Sequence, residues 1–244
     1  MPARDVLVVG VAALGFWELG ARLWPSPALP PPSAVTVRAA ELLGTGLLSH
    51  VLDSLARVGA GYLLASLAAV SLGVLLSLGG RPGDAVLGAL NSLRPIPPIA
   101  WVPLAILWFG LGDPSAIFIV FVGAFFPILL QVAWALRSCP PAWLELAEVL
   151  GASSRLTLAE VRLPAALPRI ATGLRTGLGL AWTSVVAAEL VGAQSGLGYL
   201  IQSHRMLLDP EGVLVGMACI GLAGVGMDAI AARLEAAVLR RWGP

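Results

Sequence analysis

Residue types that carry covalent or metal chemistry are scarce in this sequence. All 15 basic side chains are arginine, so the chain has neither the lysine of a phosphate-binding P-loop nor a lysine amine for a Schiff base. Cys139 and Cys219 lie far apart, without CxxC spacing or a neighbouring histidine, which argues against a disulfide framework or a zinc site. His50 and His204 have no partner at metal or catalytic spacing and are predicted to lie at the surface.

The remaining candidates are charged side chains in the longest polar stretch, residues 137–171. Within it, residues 143–150 can form two turns of helix that carry apolar side chains together with Glu145 and Glu148. Gly151 follows, and glycine suits the left-handed position just beyond a helix end. We therefore expect a short helix that ends at Gly151.

The composition indicates that these residues belong to a membrane protein. Charged residues make up 12% of the 244 residues, and apolar types make up 58%. A soluble domain carries about 25% charged residues, and so few charges could not cover such an apolar core in water. The apolar content also excludes disorder, and a net charge of +1 gives no electrostatic reason to expect nucleic acid as a partner.

Six apolar runs predict an all-α integral membrane protein with six transmembrane helices, because none shows the period-two alternation of a β-barrel. The run 115–136 has 22 residues, about 33 Å of helix, which is enough to cross the hydrocarbon core. The run 95–110 contains four prolines and must be kinked or begin irregularly, which a membrane tolerates only inside a bundle or beside a cavity. All six runs are 6–23, 55–78, 95–110, 115–136, 173–192 and 212–232.

These runs divide the chain into four parts. The first run is interpreted as an uncleaved membrane helix, because no small-residue cleavage site follows it. The predicted parts are a first transmembrane helix (1–24), an external linker with an interfacial helix (25–54, helix 36–50), a core of five transmembrane helices (55–232) containing the loop 137–171, and a cytoplasmic tail (233–244).

The arginines set the orientation. With a cytoplasmic N-terminus, alternation places ten arginines inside and four outside, as the positive-inside rule requires. Both termini and the loop 137–171 are then cytoplasmic, and the loop 193–211 is external. A short helix on the cytoplasmic surface between two spans suits docking of a partner rather than a pore. An ordinary solvated loop that contains a helix is the alternative.

Single polar side chains interrupt the apolar runs. Glu189 lies three residues before the end of its run, where a charge faces the helix bundle or a pathway, or reaches the lipid headgroups. Gln131 and Asp228 favour hydrogen bonds between helices over contact with a substrate. Arg57 is expected to anchor its helix at the membrane interface rather than to contact an anion. Small-residue spacing at Gly173 and Gly177 suggests close helix contacts.

The polar stretch also carries a specific spacing: Glu-x-Ala, a glycine six residues after the glutamate, then nine residues, then aliphatic-x-Leu-Pro. These positions are Glu145, Ala147, Gly151, Val161, Leu163 and Pro164. The pattern resembles the EAA loop of the permease subunits of ABC importers. Leu146 stands where the middle alanine is usual and Val161 where isoleucine is usual, and both remain aliphatic. The resemblance implies that this segment docks on a cytoplasmic ATPase. From the residues alone, Leu163 and Pro164 are expected to break a helical stretch just before the next span.

The resemblance extends over residues 30–241. Over this range the sequence is similar to the nitrate/sulfonate/taurine branch of these permeases. It is carried by residues 94–104, 108–112, 123–128 and 192–200. It implies the MetI-like permease fold with both termini cytoplasmic. Pro97, Pro98 and Trp101 on the kinked third run, with Glu189 on the fifth, are the candidates to line the translocation path or form a gate.

The family resemblance also implies the partners. They are two copies of a cytoplasmic ABC ATPase, a second permease copy in a homodimer, an external solute-binding protein and the bilayer of a bacterial inner membrane. ATP and Mg²⁺ would be bound by the ATPase, so no cofactor is expected in this chain, in accord with its lack of lysine. The implied substrate is a sulfonate, taurine, nitrate or similar small anion. A vitamin precursor such as a thiamine-related pyrimidine is the alternative.

Two other classes fit the sequence less well. An intramembrane enzyme needs a histidine, paired acids or a serine with a base inside the membrane. None of the six runs contains a histidine, and neither GxSxG nor HExxH occurs. A membrane scaffold would not need the spacing from Glu145 to Pro164. The sequence thus predicts a transport subunit rather than an enzyme.

Overall fold

The computed structural model describes residues 3–242, and no strand occurs among them. The helices are α1 (Ala3–Leu23), α2 (Pro32–Gly44), α3 (Leu47–Leu78), α4 (Gly80–Asn91), α5 (Val102–Phe109), α6 (Asp113–Arg137), α7 (Pro141–Val149), α8 (Ser154–Thr157), α9 (Leu163–Gly192), α10 (Leu197–Met206) and α11 (Pro210–Trp242). A 3₁₀ turn, Pro98–Trp101, precedes α5, and a π-helical turn, Leu158–Arg162, joins α8 to α9. The all-α prediction is confirmed.

Several helices are long and apolar enough to cross a membrane. In the part of the chain that the structure describes, α3, α6 and α11 meet this criterion individually. A fourth span is formed if the helical segment 154–192 and α10, which meet at a bend of 42°, are taken together. The structure therefore supports three to four spans by length and composition, and the count of six remains a prediction.

α6 is the central helix and packs between α3 and α9. Most of its apolar side chains are buried or half-buried, as expected of a helix packed between others, and Trp134 near its end is 58% exposed. The most deeply buried ones are Ile119, Val120, Ile128, Leu129 and Val132, each at most 1% exposed. The main core of the molecule therefore lies along both faces of α6.

Glycines allow the backbones to approach closely along both faces of α6. A Cβ atom added at Gly61 of α3 would lie 2.7 Å from Cβ of Val120, and one at Gly177 of α9 would lie 2.5 Å from Cγ1 of Ile128. Real side chains do not fit at such distances. Gly173 also faces α6, so the close contacts predicted for Gly173 and Gly177 are confirmed within one chain.

Polar contacts show that α6 is antiparallel to α3 and α9. At its end, Arg137 forms an ion pair with Asp84 of α4 and donates to the carbonyl of Leu76 near the end of α3. At its start, the N–H of Gly112 donates to the carbonyl of Gly192 at the end of α9 (3.1 Å). Consecutive long helices thus alternate in direction, as repeated crossing of a membrane requires.

Asp209 fixes the start of α11 and ties α2 to it. Its Oδ1 accepts the N–H of Gly212 at the first turn of α11 (2.9 Å), which caps the helix. Its Oδ2 accepts from Arg38 Nη2 of α2 (2.7 Å) and lies 2.9 Å from Nδ1 of His204. His204 is only 8% exposed, so its predicted surface position is wrong. Its partner lies five residues away and was overlooked because a carboxylate at that spacing matches no metal or catalytic pattern.

Two boundaries differ from the sequence-based expectation. The helix expected over 36–50 is α2 and ends at Gly44, and α3 begins at Leu47, eight residues before the predicted start of its run at 55. Gly46, with φ of 113°, makes the turn between them. Hydropathy missed the first turns of α3 because they carry polar side chains, including His50 and Ser54, that bond to other parts of the protein.

Candidate coupling surface and transport path

α7 ends in a hydrogen-bonded motif centred on Gly151. Val149 is the last residue of the helix, Leu150 is its cap, and Gly151 has φ of 73°. The N–H of Gly151 donates to the carbonyl of Glu148, and the N–H of Ala152 donates to the carbonyl of Ala147, both at 2.9 Å. This pair of bonds is the Schellman arrangement, which satisfies the last carbonyls of a helix. The predicted helix end at Gly151 is confirmed.

α7 presents a large apolar surface although it lies outside the long helices. Ala147 is 6% exposed and holds α7 against the protein, whereas Glu145 is exposed. The apolar side chains that face outward are Trp143 (52% exposed), Leu146 (59%), Val149 (83%), Leu150 (75%) and Leu156 (51%). We call these five residues the coupling face. An apolar patch of this kind usually marks a binding surface.

A groove runs between α7 and the helical turns that follow it. Its volume is about 420 Å³, and its lining includes Trp143, Leu150, Leu156, Glu160 and Val161. The two parts of the spaced motif, residues 145–151 and 161–164, thus lie on the two helical arms that enclose one concave surface.

The segment before α9 does not break at Leu163 and Pro164, contrary to expectation. Helical backbone continues from Ser154 to Gly192 through the π-helical turn. The N–H of Leu163 donates to the carbonyl of Leu158, five residues back. Proline lacks an N–H and clashes with the carbonyl four residues before it in an α-helix, and a π-helical turn at that point accommodates both effects. Pro164 therefore shapes the entry into α9 without ending a helix.

Three of the path candidates lie where the chain is least regular. Pro97 is extended, with φ of −60° and ψ of 143°, and Pro98–Trp101 forms the 3₁₀ turn. The irregular start predicted for the run 95–110 is confirmed. Trp101 is half-buried and packs against a small apolar cluster of α5, α6 and α9. Its Nε1 atom is buried and has no acceptor among the described residues.

Glu189, the fourth path candidate, lies in a buried polar cluster. Its carboxylate is 1% exposed and accepts from Nη1 of Arg57 (2.7 Å), from Oγ of Ser54 (2.9 Å) and from the N–H of Gly198 (2.9 Å). In this conformation it contacts neither a solvent-filled path nor the surface. We call Glu189, Arg57 and Ser54 the buried polar cluster; Ser195, which is half-buried, and Asp113, whose side chain is 67% exposed, join it at its edge.

Arg57 is the centre of this cluster and is 4% exposed, so its guanidinium bonds within the protein, and its position at the membrane interface stays a prediction. Besides Glu189 it pairs with Asp113 at the start of α6 (2.7 Å) and donates to Oγ of Ser195 (2.6 Å). Ser54 Oγ also accepts the N–H of Leu197. Because its partners lie 56 to 138 residues away, no local pattern could reveal this position.

His50 extends the same region. Its Nδ1 accepts the N–H of Gly196 at 3.0 Å, so His50 is half-buried and, like His204, is not a free surface residue. The cluster and His50 together join α3, α6, α9 and the start of α10. A buried charge is costly unless it is paired and hydrogen-bonded, and the two buried charges, on Arg57 and Glu189, each have several partners.

The two remaining polar residues behave differently. Asp228 of α11 pairs with Nε of Arg175 of α9 at 2.9 Å, so the predicted bond between helices is confirmed. Gln131 has no side-chain hydrogen bond to another described residue and lines a cavity instead. Within residues 3–242 no group of three or more His, Cys, Asp or Glu side chains is arranged to hold a metal ion.

Comparison with known proteins agrees with this geometry. The family described as "Binding-protein-dependent transport system inner membrane component" matches residues 61–240. The taurine transport system permease protein TauC of Escherichia coli is 36% identical over 220 residues, 84% of this chain and 78% of TauC. The bicarbonate transport system permease protein CmpB of Synechococcus elongatus is 37% identical over 200 residues, 81% of this chain and 72% of CmpB.

A solved structure shares the fold. An inward-facing form of the MetNI methionine ABC transporter contains a chain that superimposes with a TM-score of 0.65 at 23% identity, covering 81% of this chain and 98% of that one. The MetI-like fold is thereby confirmed. The relatives are transport permeases, so this chain is a transport subunit and not an enzyme. With its family match and its taurine and bicarbonate relatives, the chain belongs to the inner-membrane permease components of binding-protein-dependent ABC importers, in the nitrate/sulfonate/taurine branch.

Proposed function

We propose that this chain is the transmembrane permease subunit that moves a small anion inward by alternating access, driven by partner ATPases. The observation that carries the proposal is the coupling face. Five large apolar side chains are exposed, three on α7 (Trp143, Leu146 and Val149), one on its cap residue Leu150 and one on α8 (Leu156), and the end of α7 is fixed by hydrogen bonds. A rigid, exposed apolar helix between two long helices can transmit the movement of a docked partner directly into α6 and α9.

Each partner has a place in this proposal. Two copies of a cytoplasmic ABC ATPase would bind the coupling faces of two permease copies, and the ATPases would hold ATP and Mg²⁺. An external solute-binding protein would deliver the solute at the opposite end. Alternating access then consists of the two permease bundles rocking around a central path.

The proposed topology has six spans, with both termini cytoplasmic in a bacterial inner membrane. The arginine asymmetry supports it. The antiparallel contacts of α6 also support it, because they bring Asp84 and Arg137 to one end and Arg57 and Asp113 to the other.

Pro97, Pro98 and Trp101 are proposed to line the path, since the irregular backbone around them needs a protein or water-filled environment at membrane depth. Glu189 is proposed as part of an outer gate rather than as a solute contact. Its ion pair with Arg57 joins α3 to α9, and separation of these helices would require this pair to open.

The proposed solute is a small anion of the sulfonate, taurine, nitrate or bicarbonate type. Two relatives are named as taurine and bicarbonate permeases, and both of these solutes carry an anionic group. A thiamine-related pyrimidine is the alternative, with the permease role unchanged.

The coupling proposal is tested by co-expressing the chain with its candidate ATPase and measuring co-purification in detergent. Val149→Asp places a charge on an exposed side chain and should abolish capture without affecting folding. Val149→Ile is the matched control and should retain capture. If Val149→Asp captures the ATPase as well as the wild type does, the coupling face is not the docking site.

A second pair of variants tests the rigid end of α7. No atom lies within 4 Å of a Cβ added at Gly151, so a substitution there acts through φ alone. Gly151→Val is strained in the left-handed region and should weaken capture, whereas Gly151→Asn tolerates that region and should retain it. Equal capture by both variants would show that the helix end does not need to be fixed. Glu145→Ala, which removes an exposed acid of the motif, measures the electrostatic part of docking.

A further inference from the structure

A cavity of about 800 Å³ lies between α4, α6 and α9. One part of its lining is apolar and comes from α4 and α6, including Leu87, Pro127 and Leu130. The other part is polar and consists of Asp84, Asn91, Arg94, Gln131, Arg137 and Thr176. The coupling face does not contribute to this lining, so the cavity is separate from the docking surface.

The charges of the lining do not balance. Asp84 and Arg137 form an ion pair with each other. Arg94 makes no ion pair or side-chain hydrogen bond with any residue among 3–242; it is an exposed residue that lines the cavity. One full positive charge therefore remains uncompensated in the cavity, on a guanidinium that can donate two parallel hydrogen bonds to an anion.

Two amide side chains add further donors. Asn91 and Gln131 have no side-chain hydrogen bond to another described residue, and each carries an NH₂ group that can donate two hydrogen bonds. Gln131 is held in place at its base, because its Cβ packs where Gly173 of α9 lacks a side chain. The cavity thus offers the guanidinium N–H donors of Arg94 together with the side-chain amide groups of Asn91 and Gln131.

The cavity extends into the bundle from the end where Asp84 and Arg137 meet. Gln131 lies six residues before the end of α6 at Arg137, about 9 Å along the helix axis. Thr176 lies 13 residues after the start of α9 at Leu163, about 20 Å along its axis. In the proposed topology Arg94 is one of the cytoplasmic arginines, so its charge lies at the inner mouth of the cavity, where a solute on an inward route would leave.

We propose that this cavity is a binding site for the anionic group of the transported solute on its inward route, with Arg94 as the charged ligand and Asn91 and Gln131 as amide donors. The site selects for sulfonate, carboxylate or an oxyanion of similar size. The inference rests on the permease function proposed above, because it gives that function its solute contact. The same chemistry would also attract a lipid phosphate, so the test separates the two.

The charge of the cavity is measured with a cysteine at position 131. Gln131→Cys is made with Cys139 and Cys219 replaced by serine, and the protein is placed in nanodiscs of neutral phosphatidylcholine. Its reaction rates with 2-sulfonatoethyl methanethiosulfonate and with the trimethylammonium analogue are compared. The reagents have the same reactive group and opposite charges, so the ratio of rates reports the local electrostatic potential.

Arg94→Gln should lower the ratio of anionic to cationic labelling by at least ~threefold, since one nearby unit charge acts on both reagents with opposite sign. Arg94→Lys should preserve the ratio, and Asp84→Asn should raise it. Arg81→Gln removes the same charge outside the cavity lining and should leave the ratio unchanged. The proposal is overturned if Arg94→Gln has no effect, or if the cysteine reacts with neither reagent.

Occupancy is then tested with methanesulfonate as the probe. Methanesulfonate should slow labelling of Gln131→Cys, and its uncharged analogue methanesulfonamide should not. Protection should disappear with Arg94→Gln. If labelling is instead slowed by anionic phosphatidylglycerol and not by methanesulfonate, the occupant is a lipid headgroup. The proposal of a solute site is then overturned. None of these measurements uses the ATPase, so loss of coupling and loss of the anion site are distinguishable.

Discussion

Arg57 and Glu189 form a buried ion pair whose members depend on each other. The Arg57 side chain is 5% exposed and that of Glu189 is 0% exposed. Removing Arg57 leaves the Glu189 charge buried without its main partner, at a cost of about 3–5 kcal/mol. We expect Arg57→Met to lower the apparent unfolding temperature in detergent strongly, and the double variant Arg57→Met/Glu189→Leu to be less destabilised than Arg57→Met alone.

An exposed ion pair is the matched control. Arg22 pairs with Glu18 at 2.6 Å, with 65% of the Arg22 side chain exposed. Such surface pairs contribute about 0–1 kcal/mol, so Arg22→Met should change the unfolding temperature little. If the double variant of the buried pair is no more stable than Arg57→Met, the two charges are not coupled as the structure shows.

Asp209 gives the molecule an acid-sensitive contact outside the long apolar helices. Burial alone would raise the pKa of its carboxyl, but the N–H of Gly212, the Arg38 guanidinium and His204 outweigh it and hold the pKa below the model-peptide value of 3.8. Its contribution to stability is therefore fully present above pH 3.8 and is lost as the pH falls through the lower folded-state pKa.

The expected result is a fall of the unfolding temperature below about pH 4 that is smaller in Asp209→Asn than in the wild type. Asparagine keeps an oxygen for the cap of α11 but has no carboxyl proton to bind. Unfolding temperatures measured from pH 7 to pH 3 provide the check, and parallel curves for the two proteins would contradict the assignment.

At the scale of elements, the two faces of α6 depend on glycine at the crossing points. Gly177→Leu would force a side chain into Ile128, and overpacking of this kind typically costs 1–3 kcal/mol or more. Gly179 is on the same helix, two residues away, and no atom lies within 4 Å of a Cβ added there. Gly177→Leu should lower the yield of folded protein in gel filtration, and Gly179→Leu should not.

The elements that could be predicted from the sequence are those determined by local properties. The end of α7 follows from one glycine, and the core of α6 follows from an unbroken apolar run. The start of α3 and the path of the chain through Pro164 could not be predicted. The first depends on polar side chains bonding to distant segments, and the second on a π-helical turn that no apolar spacing indicates.

The residues of the candidate site also separate into those that act through local sequence and those that depend on distant contacts. Gly151 and Ala147 act within one helix, so the helix end could be predicted from the sequence, and the coupling role proposed for it rests on the resemblance of the spacing to the EAA loop. The bonds of Arg57 could not be predicted, because its acceptors come from α6, α9 and the loop before α10. Arg94 begins one of the segments that carry the family resemblance, but its place beside a cavity emerges only when α4, α6 and α9 come together.

The whole molecule has two chemically different ends, and the proposed topology assigns each to one side of the membrane. Val149, which is 83% exposed, would face the cytoplasm, and Leu208, which is 88% exposed, would face outside. With Cys139 and Cys219 replaced by serine, Leu208→Cys should react with a membrane-impermeant maleimide in intact cells. Val149→Cys should react only after the cells are permeabilised, and the opposite pattern would invert the topology.

The position of α6 between an earlier and a later helix also determines how the protein must be made. Its contact with α3 can form as soon as α6 leaves the ribosome, but α9 is complete only 55 residues after α6 ends at Arg137. At a synthesis rate of about 5–20 residues per second, this delay lasts roughly 3–11 s. During that interval the face of α6 that will pack against Gly173 and Gly177 of α9 has no partner from its own chain. The insertion machinery, or lipid alone, must therefore shelter half of the future core until α9 arrives.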